Sequence, residues 1–179
     1  MHIKNFEFKA RVNSIEKYEN KLLTLNPNYI GTDRQIDTYF NAQNGRLKLR
    51  QGNIENALIQ YNRKNIKGSK ESDIILFKHK ADNALKDILT KELGVFVEVD
   101  KFRKIYFINN IKFHFDEVKN LGTFIEVEAI DDANKFSIDD LKNQCNYYFN
   151  FFELNEENII AQSYSDLLLN ISSINNYQL

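Results

Sequence analysis

The sequence predicts an α+β protein built on a predominantly antiparallel sheet. Three observations carry that prediction. About eight segments alternate polar and apolar residues with the period of two that a half-buried strand requires. Several of them are joined by short turns rich in Asn and Gly, the connection that antiparallel neighbours use. Stretches with helical spacing are inserted between the strands and fill the C-terminal part. Eight antiparallel strands can close on themselves and so lose their edges. Alternation alone does not decide whether they do.

Residues 2–12 form the first predicted strand. In KNFEFKARV, Asn5, Glu7, Lys9 and Arg11 share one face, and Phe6, Phe8, Ala10 and Val12 the other. A helix near 14–25 follows, with Asn13 or Ser14 as its cap. NPNYIGTD reads as loop. RQIDTYFN (34–41) and RLKLRQ (46–51) are strands around the Asn-Gly turn QNGR. ALIQYNRKN (57–65) is a strand, NIKGSKESD a polar loop, and IILFKHK (74–80) a strand again. Residues 81–94 carry Leu85, Ile88, Leu89 and Leu93 at helical spacing before Gly94, a natural stop. Three strands then run through VFVEVDKFRKIYFI, IKFHFDEV and TFIEVEAI, the first two joined at Asn109-Asn110. The remainder is helical, from about 137 to 153 and in shorter pieces that include SYSDLLLN.

The 179 residues, 42% hydrophobic and 13% aromatic, suit one domain spanning 1–179 with a core of its own. With 24 basic and 25 acidic residues there is no global field to attract nucleic acid or an acidic membrane, so neither is expected as a partner. Any anion site has to come from local clustering of bases. One cysteine, Cys145, allows neither an internal disulfide nor a Cys-based zinc site and fits a reducing cytosol. No secretory leader opens the chain and no apolar run is long enough for a bilayer, so it reads as soluble and cytoplasmic. A Gly-rich phosphate loop ahead of a helix is absent too.

Ionisable residues recur at strand spacing. Arg46, Lys48 and Arg50 share a face, as do Tyr61 and Arg63, Lys78 and Lys80, Lys101 and Arg103, His114 and Asp116, and Glu126 and Glu128. Taken singly, each is the wet side of an amphipathic strand. Taken together, bases concentrate on the middle strands and acids on the first and last ones. If the faces converge, carboxylates lie beside Arg and Lys, which is what a metal-bound polyphosphate requires. Hard Mg²⁺ or Mn²⁺ takes carboxylate and phosphate oxygens together, and Arg and Lys neutralise the remaining phosphate charge. His114 reads as a sheet-face residue, and Cys145 with the aromatic residues of 147–152 as core.

The same residues resemble the CYTH, or triphosphate tunnel metalloenzyme, superfamily. NFEFK is similar to its N-terminal E-x-E-x-K strand, with Glu7 and Lys9 in place and Asn5 where the first Glu is usual. DTYF (37–40), RLKLR (46–50), VDKFRKIYF (99–107) and FDEVKNLGTFIEVEA (115–129) resemble its further segments in order. SYSDLLL (163–169) resembles the C-terminal motif of the class IV adenylyl cyclase branch.

The resemblance implies an eight-stranded antiparallel β-barrel, a polar triphosphate tunnel, with helices between strands and at the C-terminus. It implies Mg²⁺ or Mn²⁺ as cofactor and ATP or another triphosphate as substrate. Glu7, Lys9 and Glu126 would be the catalytic residues. Glu7, Asp116, Glu126 and Glu128 would hold metal, and Lys9, Arg50, Arg63, Lys78, Lys101 and Arg103 would hold phosphates. The reaction would be cyclisation of ATP to cyclic AMP and pyrophosphate, with hydrolysis of thiamine triphosphate or tripolyphosphate as the alternative. Asn5, neutral and short, weakens the metal site and opens a third reading, triphosphate binding without turnover. Exposed helices on such a barrel leave room for a homodimer. Glu126→Ala and Arg103→Ala are expected to abolish activity and leave the melting temperature unchanged or higher.

Overall fold

The structure is a computed structural model that describes residues 2–62, 70–80, 82–131 and 133–176. Eight strands, β1 (His2–Val12), β2 (Asn28–Phe40), β3 (Arg46–Gln51), β4 (Ala57–Asn62), β5 (Lys70–Lys78), β6 (Val95–Ile108), β7 (Ile111–Val118) and β8 (Gly122–Asp131), close into a barrel. Their order around it is β1-β5-β4-β3-β2-β6-β7-β8, and every neighbouring pair is antiparallel. Helices α1 (Ile15–Leu23), α2 (Asn83–Leu93), α3 (Ile138–Phe151) and α4 (Tyr164–Asn176) lie between strands and at the C-terminal end. None of them is long and apolar enough to cross a membrane, among the described residues.

Local chemistry sets the helix starts. Ser14 caps α1 by accepting from the Lys17 N–H, and Asp82 caps α2 by accepting from the Ala84 N–H at 2.8 Å. Ser137 and Asp140 form a reciprocal capping box at α3. Gly94 ends α2 at φ 71, a region that glycine enters without steric cost.

Two loops of the sequence reading are strand. NYIGTD belongs to β2, which starts at Asn28 and pairs along β6. Its glycine marks a bulge and not a loop. The register shifts between Tyr29 and Gly31, Gly31 has φ 143, and a Cβ there would meet Ile54 at 2.8 Å. The ESD segment belongs to β5, which begins at Lys70 and pairs with β1 from Glu7 to His2. Arg63 and the end of the predicted 57–65 strand lie outside the described residues.

The main apolar core lies outside the barrel. The outward residues of β1 (Phe6, Phe8, Ala10, Val12), β7 (Phe113, Phe115) and β8 (Ile125, Val127, Ala129) pack under Leu141, Cys145, Tyr148 and Phe152 of α3 and its C-terminal end, with Leu22 of α1. Fully burying such side chains stabilises by roughly 1.5–3 kcal/mol each. Cys145 is core, its burial pushing the thiol up to about 12. This outer core holds the strands rigid, so the inward row of each can be polar without the barrel collapsing.

Candidate functional site

Inside the barrel is a cavity of about 800 Å³, within the roughly 300–1,000 Å³ of ligand pockets. Period-two alternation delivers its wall strand by strand: Glu7 and Lys9 from β1, Asp37 and Tyr39 from β2, Lys48 and Arg50 from β3, Lys101 and Arg103 from β6, Lys112 and His114 from β7, and Glu126 and Glu128 from β8. The β4 and β5 rows differ. They contribute Ala57, Ile59 and Tyr61, then Ile74, Leu76 and Lys78, so this wall is mostly apolar and aromatic.

Register pairs the charges. Lys9 stands opposite Glu126 across β1–β8, and its Nζ lies 2.9 Å from Glu126 Oε2. His114 stands opposite Glu126 across β7–β8, with Nδ1 3.0 Å from Oε1. Glu126 is buried, which would raise its pKa, but Lys9, Arg103 and His114 hold it well below the usual carboxylate range. Glu7 stands opposite Glu128, a like-charge pair. Burial, Glu7 and Glu126 raise the Glu128 pKa against the pull of Lys112 and Asn5. The β1–β8 seam therefore brings the Glu7 and Glu128 carboxylates together beside Glu126.

A second cluster gathers on β2, β3 and β6. Buried Asp37 accepts from Lys101 Nζ at 2.8 Å, Arg50 Nε at 2.9 Å and Lys48 Nζ at 3.1 Å. Burial opposes its ionisation, but Arg50, Lys101 and Lys48 hold the carboxyl well below its ordinary value. Lys101, only 1% exposed, is pulled down to about 7 by burial and by Arg50, Arg103 and Lys48, with Asp37 opposing. Glu55 reaches Arg50 Nη1 at 3.0 Å and also pairs with Lys112. The short β3–β4 connection carries it there. Asp33 accepts the Ile54 and Glu55 N–H groups, each at 2.9 Å, and Gly52 packs so close that a Cβ would lie 2.6 Å from that carboxylate.

The C-terminal SYSD segment pins α4 to the barrel. Ser163 and Asp166 cap each other, and Arg46 of β3 donates two bonds to Asp166, at 2.8 and 3.0 Å. Tyr164 donates to Asp116 Oδ2 at 2.7 Å, and its ring lies under Lys9 Nζ at 4.1 Å from the centroid.

The CYTH domain profile matches residues 4–144. The chain belongs to the CYTH domain family. No curated protein matches it. Among solved structures, the PH1012 protein from Pyrococcus horikoshii OT3 superposes with a TM-score of 0.77 at 23% identity, covering 91% of this chain and 98% of that one. A candidate adenylate cyclase from Vibrio parahaemolyticus gives 0.72 at 18% identity, covering 92% and 97%. HpAC1 from Hippeastrum, a candidate adenylyl cyclase with a dominant triphosphatase activity, gives 0.62 at 13% identity, covering 97% and 96%. These likenesses place the chain in the fold. As a CYTH domain it belongs with divalent-metal-dependent, triphosphate-processing enzymes.

This CYTH domain brings Glu7, Lys9, Arg50, Lys78, Lys101, Arg103, Glu126 and Glu128 to one cavity. Asp116, expected among the metal ligands, does not line it. Its carboxylate is fully buried, forked by Arg103 at 2.7 and 2.5 Å and capped by Tyr164, so it aims the guanidinium inward. Asp37, Glu55 and Lys112 line the cavity without being among the residues that the sequence singles out, and His114, expected on a sheet face, lies on the inward one. Lys112 and His114 share the inward row with Asp116 in IKFHFD, so alternation held that signal; Glu55 lies in a loop and carried none.

The donor set fits a hard divalent cation. Among the described residues, ligand atoms of His114, Glu126 and Glu128 lie within 4.8 Å of one another. The raised Glu128 and the like-charged Glu7 opposite it are what a cation would relieve.

Proposed function

We propose that this protein binds ATP with Mg²⁺ or Mn²⁺ inside the barrel and converts it to cyclic AMP and pyrophosphate. The observation that carries the reading is the charge balance of the cavity wall. Among the described residues, Lys9, Lys48, Arg50, Lys78, Lys101, Arg103 and Lys112 face Glu7, Asp37, Glu55, Glu126 and Glu128: seven basic groups against five carboxylates, a net of two positive charges with the histidines neutral and Lys101 protonated. A triphosphate tail carries roughly four negative charges, and one divalent cation leaves about two. The wall complements the metal–triphosphate pair. The apolar β4–β5 face, with Tyr39 and Tyr61, offers packing for a nucleoside that an inorganic polyphosphate would not use.

Glu7, Glu126 and Glu128 would hold the cation, which when bound withdraws charge from the phosphate oxygens and makes the reacting phosphorus more electrophilic. Lys9, Arg50, Lys101 and Arg103 bind the phosphate oxygens and stabilise charge as it builds on the leaving pyrophosphate. In cyclisation the ribose 3′-oxygen bonds to the α-phosphorus, the bond from that phosphorus to the α–β bridging oxygen breaks, and the hydroxyl proton is released. Support for the cyclase direction comes from the SYSDLLL and NLGTFIEVE segments and from the Vibrio neighbour. The Hippeastrum neighbour's triphosphatase activity makes hydrolysis the competing outcome.

The test is phosphorus NMR of the protein with Mg²⁺ or Mn²⁺ and, separately, ATP, tripolyphosphate and thiamine triphosphate. Cyclic AMP with pyrophosphate is the expected result. Orthophosphate release replaces cyclisation with hydrolysis. Unchanged substrate with tight binding leaves a triphosphate-binding protein and makes Asn5 the reason.

A further inference from the structure

Arg50 and Lys112, two of the cavity cations, share a carboxylate that comes from a connection and not from a strand. We propose that this residue, Glu55, is a built-in phosphate surrogate. It occupies Arg50 and Lys112 in the free protein, excludes small anions such as orthophosphate from them, and swings out when a polyphosphate takes its place. The proposal rests on the triphosphate reading above and adds a residue that sets which anions the cavity holds.

The geometry gives Glu55 the contacts of a phosphate group. Its Oε2 accepts from Arg50 Nη1 at 3.0 Å and from Gln35 Nε2 at 3.1 Å, and its Oε1 accepts from Lys112 Nζ. Arg50 lies on β3 and Lys112 on β7, three strands further round the barrel, so the side chain bridges the interior. A guanidinium and an ammonium converging on one anion suit phosphate oxygens equally well. Burial opposes ionisation of Glu55, but Lys112 and Arg50 hold it below the usual carboxylate range, so it is an anion at neutral pH.

Backbone and side chain are held differently. Asp33 accepts the Ile54 and Glu55 N–H groups, and Asn53 Oδ1 accepts the Arg34 N–H at 2.6 Å. Asn56 accepts from the Gly52 N–H at 3.2 Å and donates to the Gly52 carbonyl at 2.9 Å. The connection is pinned, and the Glu55 side chain alone is placed to leave. That side chain is 26% exposed, whereas Asp37, the other carboxylate on Arg50, is 3% exposed and bound by three cations. The closed arrangement is also imperfectly satisfied. Gln35 Nε2 is divided between Glu55 and Asp33, and Gln35 Oε1 is buried without a partner among the described residues.

Tethering makes the surrogate selective. A side chain on a pinned backbone competes at an effective concentration on the order of millimolar. Orthophosphate at Arg50 and Lys112 merely replaces one anion with another. A triphosphate long enough to reach Lys101 or Arg103 as well gains contacts that drive the exchange.

The experiment is calorimetric titration of orthophosphate and of tripolyphosphate, in metal-free buffer, into wild type, Glu55→Gln and Glu55→Asp. Asp keeps the charge but is shorter by about 1.5 Å, a gap that the pinned backbone does not close. Both variants are expected to bind both anions about tenfold or more tighter than wild type, the scale of a lost charge-assisted contact. Tightening in Glu55→Gln with wild-type affinity in Glu55→Asp means that charge alone matters and overturns the displacement. Unchanged or weaker binding in both means that Glu55 stays in place or assists, and overturns it too. Should Glu55→Gln not fold, Glu55→Asp decides by the same criterion. No binding of tripolyphosphate to any of the three, repeated with Mg²⁺ present, overturns the triphosphate reading itself.

Discussion

The Asn5 side chain donates from Nδ2 to Glu128 Oε1 at 2.6 Å, while its own Oδ1 is buried without a partner. The amide thus supports a carboxylate whose pKa is raised by burial and by Glu7 and Glu126. An ionised Glu at position 5 could accept but not donate, so it would turn a supporting contact into a repulsive one.

Asn5→Glu is therefore expected to destabilise the metal-free protein by about 1–3 kcal/mol, roughly 2–12 °C in melting temperature for a chain of this size. Saturating Mn²⁺ or Mg²⁺ should recover most of the loss, because a cation binds the folded state alone. Turnover of a triphosphate should rise. Thermal melts with and without cation, followed by a phosphate-release or cyclic AMP assay, check this. A variant that melts like wild type and gains nothing from cation removes position 5 from the metal site.

Asp37 serves as internal counter-anion for Lys48, Arg50 and Lys101. Asp37→Asn leaves three buried or nearly buried cations under-compensated, a change that costs about 3–5 kcal/mol when a buried pair is broken. The same vacated charge is one that a phosphate can supply. The variant should melt well below wild type in chloride buffer and recover with added tripolyphosphate, to a larger degree than wild type gains. Differential scanning fluorimetry reads both. Equal gains in the two proteins would mean that the polyphosphate does not reach this cluster.

What was legible in the sequence was whatever alternation controls. Phe6, Phe8, Phe113, Phe115, Ile125 and Val127 face the outer core, and Glu7, Lys9, Lys101, Arg103, Glu126 and Glu128 the cavity, as their parity requires. What stayed hidden depends on which strands become neighbours and in what register. Asp116 has the right parity for the cavity, but its cross-strand partner is Arg103, and that pairing with Tyr164 from α4 takes it out of the wall. Glu55 reaches Lys112 only because the barrel closes and a short connection is held by Asp33. NYIGTD read as loop because glycine marks loops and bulges alike, and only the pairing with β6 tells them apart.

Lys101 gives triphosphate binding a pH dependence. With its pKa drawn down to about 7, the ammonium of the ligand-free protein begins to lose its proton near neutrality. A bound polyphosphate favours the charged form and raises that pKa. Binding above pH 7 must then take up a proton, and affinity must fall as pH rises, by at most tenfold per unit. Calorimetry of tripolyphosphate binding between pH 7 and 9, in buffers of different ionisation enthalpy, measures the uptake directly. Lys101→Met should abolish the uptake; if wild type shows none, Lys101 does not titrate in this range.

Arg103 separates the pairing seen in the structure from the simpler expectation that removing clustered charge is harmless. Its guanidinium forks Asp116 and reaches Glu126 Oε1 at 3.4 Å, and all three groups are buried. Arg103→Ala leaves Asp116 with the Tyr164 hydroxyl as its other side-chain hydrogen-bond donor and opens a void where the guanidinium lay. The expected outcome is loss of activity together with a loss of stability of about 3–5 kcal/mol. Glu126→Ala should destabilise for the complementary reason, stripping Lys9 of its carboxylate. The double variant Arg103→Met, Asp116→Leu removes the Arg103–Asp116 pair and should recover part of the stability without recovering activity. Denaturant melts of the single and double variants test this, and an Arg103→Ala protein as stable as wild type would mean that the Asp116 fork contributes nothing to the fold.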